Sequence, residues 1–358
     1  MKTKKLTLFF LIIIGALLIS ACSGQPLTNN FPGLAADGER AYISSGSFIY
    51  AIDVQTGDQV WSYPEEPDGE LLYYANPVLT EDGQLLIGST GTNHAFISLD
   101  PATGQEKWNE PFSLAKGAWI GSPLVFNNII YAPNTDGRLY VLDMNGNPIT
   151  NPIELGGALW SAPVTDGTYI YINSLDHHTH ILDPLTGELV DDPIDLGGAA
   201  PGSPVVANDG IYVGSFASNV QYIKSTGENE VIATTSDWIW GAPAFDNETL
   251  YYADLSGNIF SLDLSNNRQN WNELQPDGPV TASLLVVGDQ IYVVTEAGSF
   301  IALDRDGKIV WEKTPGGKIY TTPVLSNDLI LVAPYQAEFA LAAYDAAGKQ
   351  AWTFTPDN

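Results

Sequence analysis

The chain of 358 residues carries 42 acidic against 14 basic side chains, a formal net charge of −28, and loss of a leader holding Lys2, Lys4 and Lys5 makes it −31. Such a surface repels phosphate backbones and anionic headgroups, which excludes nucleic acid as a partner. Abundant Gly and Pro, many β-branched residues and no long 3.6-residue period argue for an all-β chain, and a lone cysteine rules out an internal disulfide.

The first element in chain order is a secretory leader over residues 1–21, with Lys2, Lys4 and Lys5 before the apolar run Leu6 to Leu18. The run is short for a bilayer span. Ile19-Ser20-Ala21-Cys22 resembles the bacterial lipoprotein signal, in which the cysteine after an apolar-Ser-Ala triplet becomes the lipid-bearing first residue. Cys22 is therefore the expected lipidation site, residues 22–30 a polar tether, and the protein lipid-anchored outside the cytoplasm.

From residue 31 to 358 the chain repeats. Pro32, Pro77, Pro123, Pro163, Pro204, Pro243 and Pro323, with Leu284 in an eighth such slot, open β-branched runs at intervals of 45, 46, 40, 41, 39, 41 and 39 residues. In step with them, Asp53, Asp100, Asp143, Asp183, Asp263, Asp304 and Asp345 each head a tight turn, with one degenerate copy near Lys224. An Asp side chain bonds backbone amides two residues on, and the following Gly accepts the positive φ that closes the turn. Each unit of about 40 residues holds four short strands, too few to cover their own apolar faces, so stacking is obligatory. In the seventh unit the strands are predicted at Ser283–Val287, Ile291–Val294, Phe300–Leu303 and a last one ending at Trp311. The expectation is a single eight-bladed β-propeller of four-stranded antiparallel blades. Because the first unit already contains four strands in order, no swapped closing strand is required. Trp61, Trp108, Trp271, Trp311 and Trp352 take the outermost strand of their units and are read as structural rings packed between blades.

The units Asp53-Val54-Gln55-Thr56-Gly57-Asp58-Gln59-Val60-Trp61 and Asp100 to Trp108 resemble the repeat of the pyrroloquinoline-quinone (PQQ)-like propellers. Partial copies at Asp183–Gly187, Asp304–Trp311 and Asp345–Trp352 extend the likeness over nearly all of the mature chain. That group includes quinoprotein dehydrogenases and the BamB-type lipoproteins of outer-membrane barrel assembly. The second branch implies a non-catalytic scaffold with a protein partner in the cell envelope, working as a monomeric ring without cofactor. In a bacterium with no outer membrane, a surface ligand-binding role would take its place. The first branch implies a PQQ- and calcium-dependent dehydrogenase. Those enzymes are longer and many carry a disulfide of adjacent cysteines, which this chain lacks, and no catalytic position transfers. A repeat of this kind speaks for fold more than for chemistry.

Candidate contact residues lie where loops crowd one end of the disc. Rings precede the Pro slots at Tyr73 and Tyr74, Trp119, Trp160, Trp238 and Trp240, and Tyr320. Tyr74, Trp119, Trp160, Trp240 and Tyr320 are expected at the channel mouth, with Arg138 and His178 facing the channel from adjacent blades. Two readings follow: an aromatic pocket for a flat ligand, a sugar or an extended peptide, or a plug that seals the blade tops. Asp176-His177-His178-Thr179-His180 holds three of the four histidines. Alignment of Asp183 with Asp143 sets His180 level with Tyr140, a core position, and two exposed histidines without a further fixed donor do not make a zinc site. No metal is expected.

Overall fold

Every one of the eight slots is followed directly by the first strand of a blade. The computed structural model describes residues 31–207, 209–271 and 274–356, and the leader, Cys22 and the tether lie outside them. First strands begin at Gly33, Val78, Leu124, Val164, Val205, Ala244, Leu285 and Val324, each one residue past its Pro or Leu284. Blades are built from consecutive strands in antiparallel order, as in Gly33–Ala36, Arg40–Ser45, Phe48–Asp53 and Gln59–Tyr63 of the first. The seventh comprises Leu285–Val287, Gln290–Val294, Phe300–Asp304 and Ile309–Lys313, within two residues of expectation. Among the described residues all elements are strands, and the fold is an eight-bladed β-propeller.

The second blade departs from the plan. Its sheet has three strands, and the outermost survives only as bridges at Leu99–Glu106 and Phe96–Phe112. Pro111, between the two bridges, offers no N–H to the ladder. A pocket of about 210 Å³ lies beside the break, lined among others by Phe112, Leu114, Arg138 and Tyr140.

The core is divided by seam. Buried apolar side chains form eight clusters, and each joins two neighbouring blades, for example Tyr42, Ile49 and Trp61 with Leu85, Ile87 and Leu99. Middle strands are covered on both faces, so they read as unbroken apolar runs such as Ile291-Tyr292-Val293-Val294. Rim strands are largely exposed, as in Ile309–Lys313, where Ile309 is 58% and Val310 49% exposed.

The Asp hairpins form as expected. Asp53 Oδ1 accepts from the backbone N–H of Gln55 at 2.8 Å and of Thr56 at 3.0 Å, and Gly57 takes φ +80°. Each rim tryptophan then locks onto the hairpin of the next blade. The Nε1–H of Trp61, Trp108, Trp271, Trp311 and Trp352 donates to the backbone carbonyl of Pro101, Met144, Arg305, Ala346 and Val54 respectively, at 2.8–3.1 Å. The indole lies flat on the turn glycine: a Cβ at Gly104, Gly146, Gly307, Gly348 or Gly57 would stand 2.6–2.8 Å from the ring. These glycines are needed twice, for φ and for clearance.

Trp352 closes the ring, joining the eighth blade to the first. Thr321 Oγ1 donates to the Pro32 carbonyl and Ser326 Oγ to that of Asp37 across the same seam. Near the axis, hydroxyls link further neighbours: the Ala162 N–H donates to Ser203 Oγ at 2.9 Å, that of Ala242 to Ser283 Oγ at 2.9 Å, and that of Ser283 to Thr322 Oγ1 at 3.0 Å.

Counting from each hairpin places Thr150, Asp191 and Val231 in the tryptophan position of the third, fourth and fifth blades. The Asp191 carboxylate stands 3.3 Å from where a Cβ of Gly227 would be, on the next hairpin. Two outcomes follow. Trp61→Ala and Trp352→Ala each lose about 3–5 kcal/mol in urea unfolding through cavity and lost burial, whereas Asp191→Trp raises Tm by restoring a lock. Unchanged unfolding of both alanine variants would refute the assignment.

Candidate functional site

The linkers that enter each blade build one face of the disc. Their position is fixed by a repeated hydrogen bond from the loop between second and third strands. The N–H groups of Thr90, Thr135, Leu175, Phe216, Leu255, Glu296 and Tyr335 donate to the carbonyls of Leu72, Ala118, Ala158, Ala199, Trp238, Pro279 and Lys318, at 2.6–3.1 Å. Each acceptor stands five residues before its Pro slot. The next residue along turns inward and is sealed: Tyr73, Trp119, Leu159, Ala200, Ile239, Val280 and Ile319 are all 0–1% exposed. Alternation aims the one after it, three before the slot, at the mouth: Tyr74, Ile120, Trp160, Pro201, Trp240, Thr281 and Tyr320.

This register corrects one expectation. Trp119 is 1% exposed, its Nε1–H donating to the His94 carbonyl at 2.9 Å and its ring set against Phe96, Phe112 and Tyr140. It belongs to the sealed row, one residue out of step with the mouth. Gly88 is what admits it, since a Cβ there would lie 2.1 Å from that of Trp119.

Trp160 and Trp240 do come together, ring centroids 6.1 Å apart, across the entrance to the fifth blade. Phe216 extends the group, 5.4 Å from Trp240 and stacked on Trp238 at 4.7 Å and 15°. Trp238 is 49% exposed, so the four rings present an apolar face to solvent. A second group holds Tyr320, with Phe31 stacked at 3.7 Å, Tyr335 edge-on at 6.3 Å and Lys318 Nζ 5.9 Å above the Tyr320 ring. Beside it, burial pushes the Glu296 carboxyl up, with Lys318 opposing. Tyr74 is half-buried. Sequence reasoning passed over Phe216, a ring inside a turn, and Phe31, which precedes the first slot.

Arg138 and His178 lie elsewhere. Both begin third strands, two strands out from the axis, whereas linkers line the mouth. Arg138 Nε meets Glu154 Oε1 at 2.7 Å and its NH1 group lies 3.7 Å from Asp136 Oδ2. His178 Nδ1 lies 3.3 Å from Asp176 Oδ1. Each thus already has a carboxylate beside it.

His177 occupies the turn at φ +79°, and His180 is 4% exposed in the core position shared with Tyr140. Among the described residues no group of three or more His, Cys, Asp or Glu converges as a metal site. Burial lowers the His180 pKa from 6.5, with Asp176 raising it and His178 lowering it. A histidine kept neutral in the fold stabilises above its unfolded pKa, and that contribution is lost as pH falls through the folded one. Urea unfolding of the native chain should therefore weaken between pH 7.5 and 5.5 by more than that of His180→Phe. Identical pH dependence of the two would contradict this placement.

The sequence profile of the family described as outer membrane protein assembly factor BamB matches residues 20–192 and 273–358. The BamB of Kangiella koreensis is 37% identical over 87 residues, 24% of this chain and 21% of that protein. The BamB of Burkholderia pseudomallei is 25% identical over 113 residues, 32% of this chain and 29% of that protein. These alignments therefore span less than a third of either relative. The crystal structure of BamB from Moraxella catarrhalis superposes with a TM-score of 0.67 at 18% identity, over 90% of this chain and 92% of that one. The computationally designed Ika8 protein gives 0.74 at 11%, over 88% and 96%. At such identities the two structures speak for the fold alone. Phe216, Trp238 and Trp240 fall in the stretch between the two matched segments.

Proposed function

The chain belongs to the family of the outer membrane protein assembly factor BamB, and from that premise we propose that it is a non-catalytic scaffold serving outer-membrane protein assembly. It works outside the cytoplasm, held to a membrane through lipid on Cys22, as a single ring without cofactor. Its partner is a protein of the envelope, met at the aromatic end of the disc.

The observation that carries this reading is the ring group Trp160, Phe216, Trp238 and Trp240, with Trp238 half exposed. Aromatic rings at a rigid loop face offer large contact area at small entropic cost, the usual make-up of protein-binding anchors. The partly exposed carboxylate of Asp237, next to Trp238 in the chain, favours a partner with basic residues.

Deletion of the gene in its native host should lower the amount of folded outer-membrane barrel proteins. The native chain should restore them, and a chain carrying Trp238→Ala with Trp240→Ala should not, while keeping its Tm within a few degrees. An unchanged outer membrane after deletion would contradict the role. Turnover of an alcohol or sugar after reconstitution with PQQ and calcium, followed with a redox dye, would replace it with the dehydrogenase reading.

A further inference from the structure

The five tryptophan locks define what the hairpin of each blade is shaped to receive: an indole flat on the turn glycine, its N–H on the carbonyl one residue past the Asp. At the rim between the third and fourth blades that receptor is present and its internal indole is missing. Gly187 holds φ +72°, like Gly104 at +73°, and nothing lies within 4 Å of where its Cβ would be. The matching carbonyl belongs to Pro184, with the Tyr131 hydroxyl at 3.5 Å.

The residue due to fill the place is Thr150. The Ile149 N–H donates to the Val141 carbonyl at 2.9 Å, as the Lys107 N–H next to Trp108 does to Ser98 at 2.8 Å, so the two segments run in the same register. Thr150 is exposed and turns its hydroxyl to the Asn151 carbonyl at 2.9 Å. In the two following seams the same place holds Asp191 against Gly227 and Val231 ahead of Asn267.

The bare glycine sits in apolar surroundings that solvent reaches. Leu185 is 89% exposed, Ile149 48%, Val190 42% and Leu189 39%. Asp183, Glu188, Asp191 and Asp192 stand among them, and residues 183–192 contain no Lys or Arg. An uncovered apolar surface edged by one sign of charge is matched by a partner with apolar and oppositely charged groups.

We propose that the Gly187 hairpin is a docking notch for an aromatic side chain, an indole before others, carried by a protein partner with basic residues beside it. The partner's ring lies on Gly187 as Trp61 lies on Gly104, its N–H directed to the Pro184 carbonyl, with Leu185 against its edge. The basic neighbours meet Glu188, next to Gly187 in the chain. This surface is on the rim, separate from the aromatic mouth, and does not depend on the function proposed above.

The test titrates acetyl-Lys-Trp-Lys-amide into the ¹⁵N-labelled chain, with acetyl-Lys-Ala-Lys-amide as control. Saturable amide shifts are expected at Leu185, Gly187 and Glu188 with the tryptophan peptide, and weaker, unsaturated ones with the alanine peptide. Gly187→Asn fills the bare face with a residue that takes this backbone geometry, as Asn267 does at φ +55° in the corresponding turn. It should weaken binding at least tenfold. Should that variant fold poorly, Leu185→Asp, at a solvent-facing side chain, is expected to do the same. Shifts confined to the Trp238 region, equal response to both peptides, or undiminished binding by a well-folded variant would overturn the proposal. So would concentration-dependent shifts of these amides without peptide, which would assign the notch to a second copy.

Discussion

A single contact, an indole laid on the turn glycine of the next blade with its N–H on a neighbouring carbonyl, sets the geometry of this molecule. No blade can bury its own faces, so all stability resides in seams. Apolar packing alone leaves sheets free to slide. The indole adds direction, because its hydrogen bond fixes how far one blade advances over the next. The same contact closes the circle, where Trp352 reaches Val54 over 298 residues of chain. Where Thr150, Asp191 and Val231 replace it, three successive seams rely on their apolar clusters alone, such as Leu139, Leu155, Ile170 and Leu182 in the first and Tyr212, Tyr252 and Phe260 in the third.

Much of the fold was legible because its signals are local and repeated. A Pro slot, an Asp-headed hairpin and a Trp each act within a few residues, and eight copies average away individual losses such as Lys224 for Asp. The missing fourth strand of the second blade was not open to the same reading: Pro111 withholds one ladder donor, but Pro152 and Pro193 stand directly before fourth strands that do form. The absent locks, by contrast, were countable from Asp143, Asp183 and Lys224.

The candidate site was less legible, for a physical reason. Linkers before the slots alternate between seam and mouth, so a shift of one residue moves a ring from one environment to the other. Trp119 and Trp160 look alike in sequence, yet the first is four residues before its slot and sealed, the second three before and half-buried. Phe216 joins the site from a loop of a neighbouring strand pair, a contact that no local pattern encodes. Arg138 and His178 aligned well with each other, but alignment gives no distance from the axis, and they belong to third strands.

The ring is thus pinned over five seams and looser over the other three, on the side that also bears the exposed Leu185 and the four-ring group of Trp160, Phe216, Trp238 and Trp240. Native-state hydrogen exchange resolved by blade tests this most directly. The account predicts that middle-strand amides of the fourth and fifth blades open at lower free energy than those of the first, second, seventh and eighth. Uniform opening free energies around the ring, or earlier opening at the tryptophan seams, would contradict it.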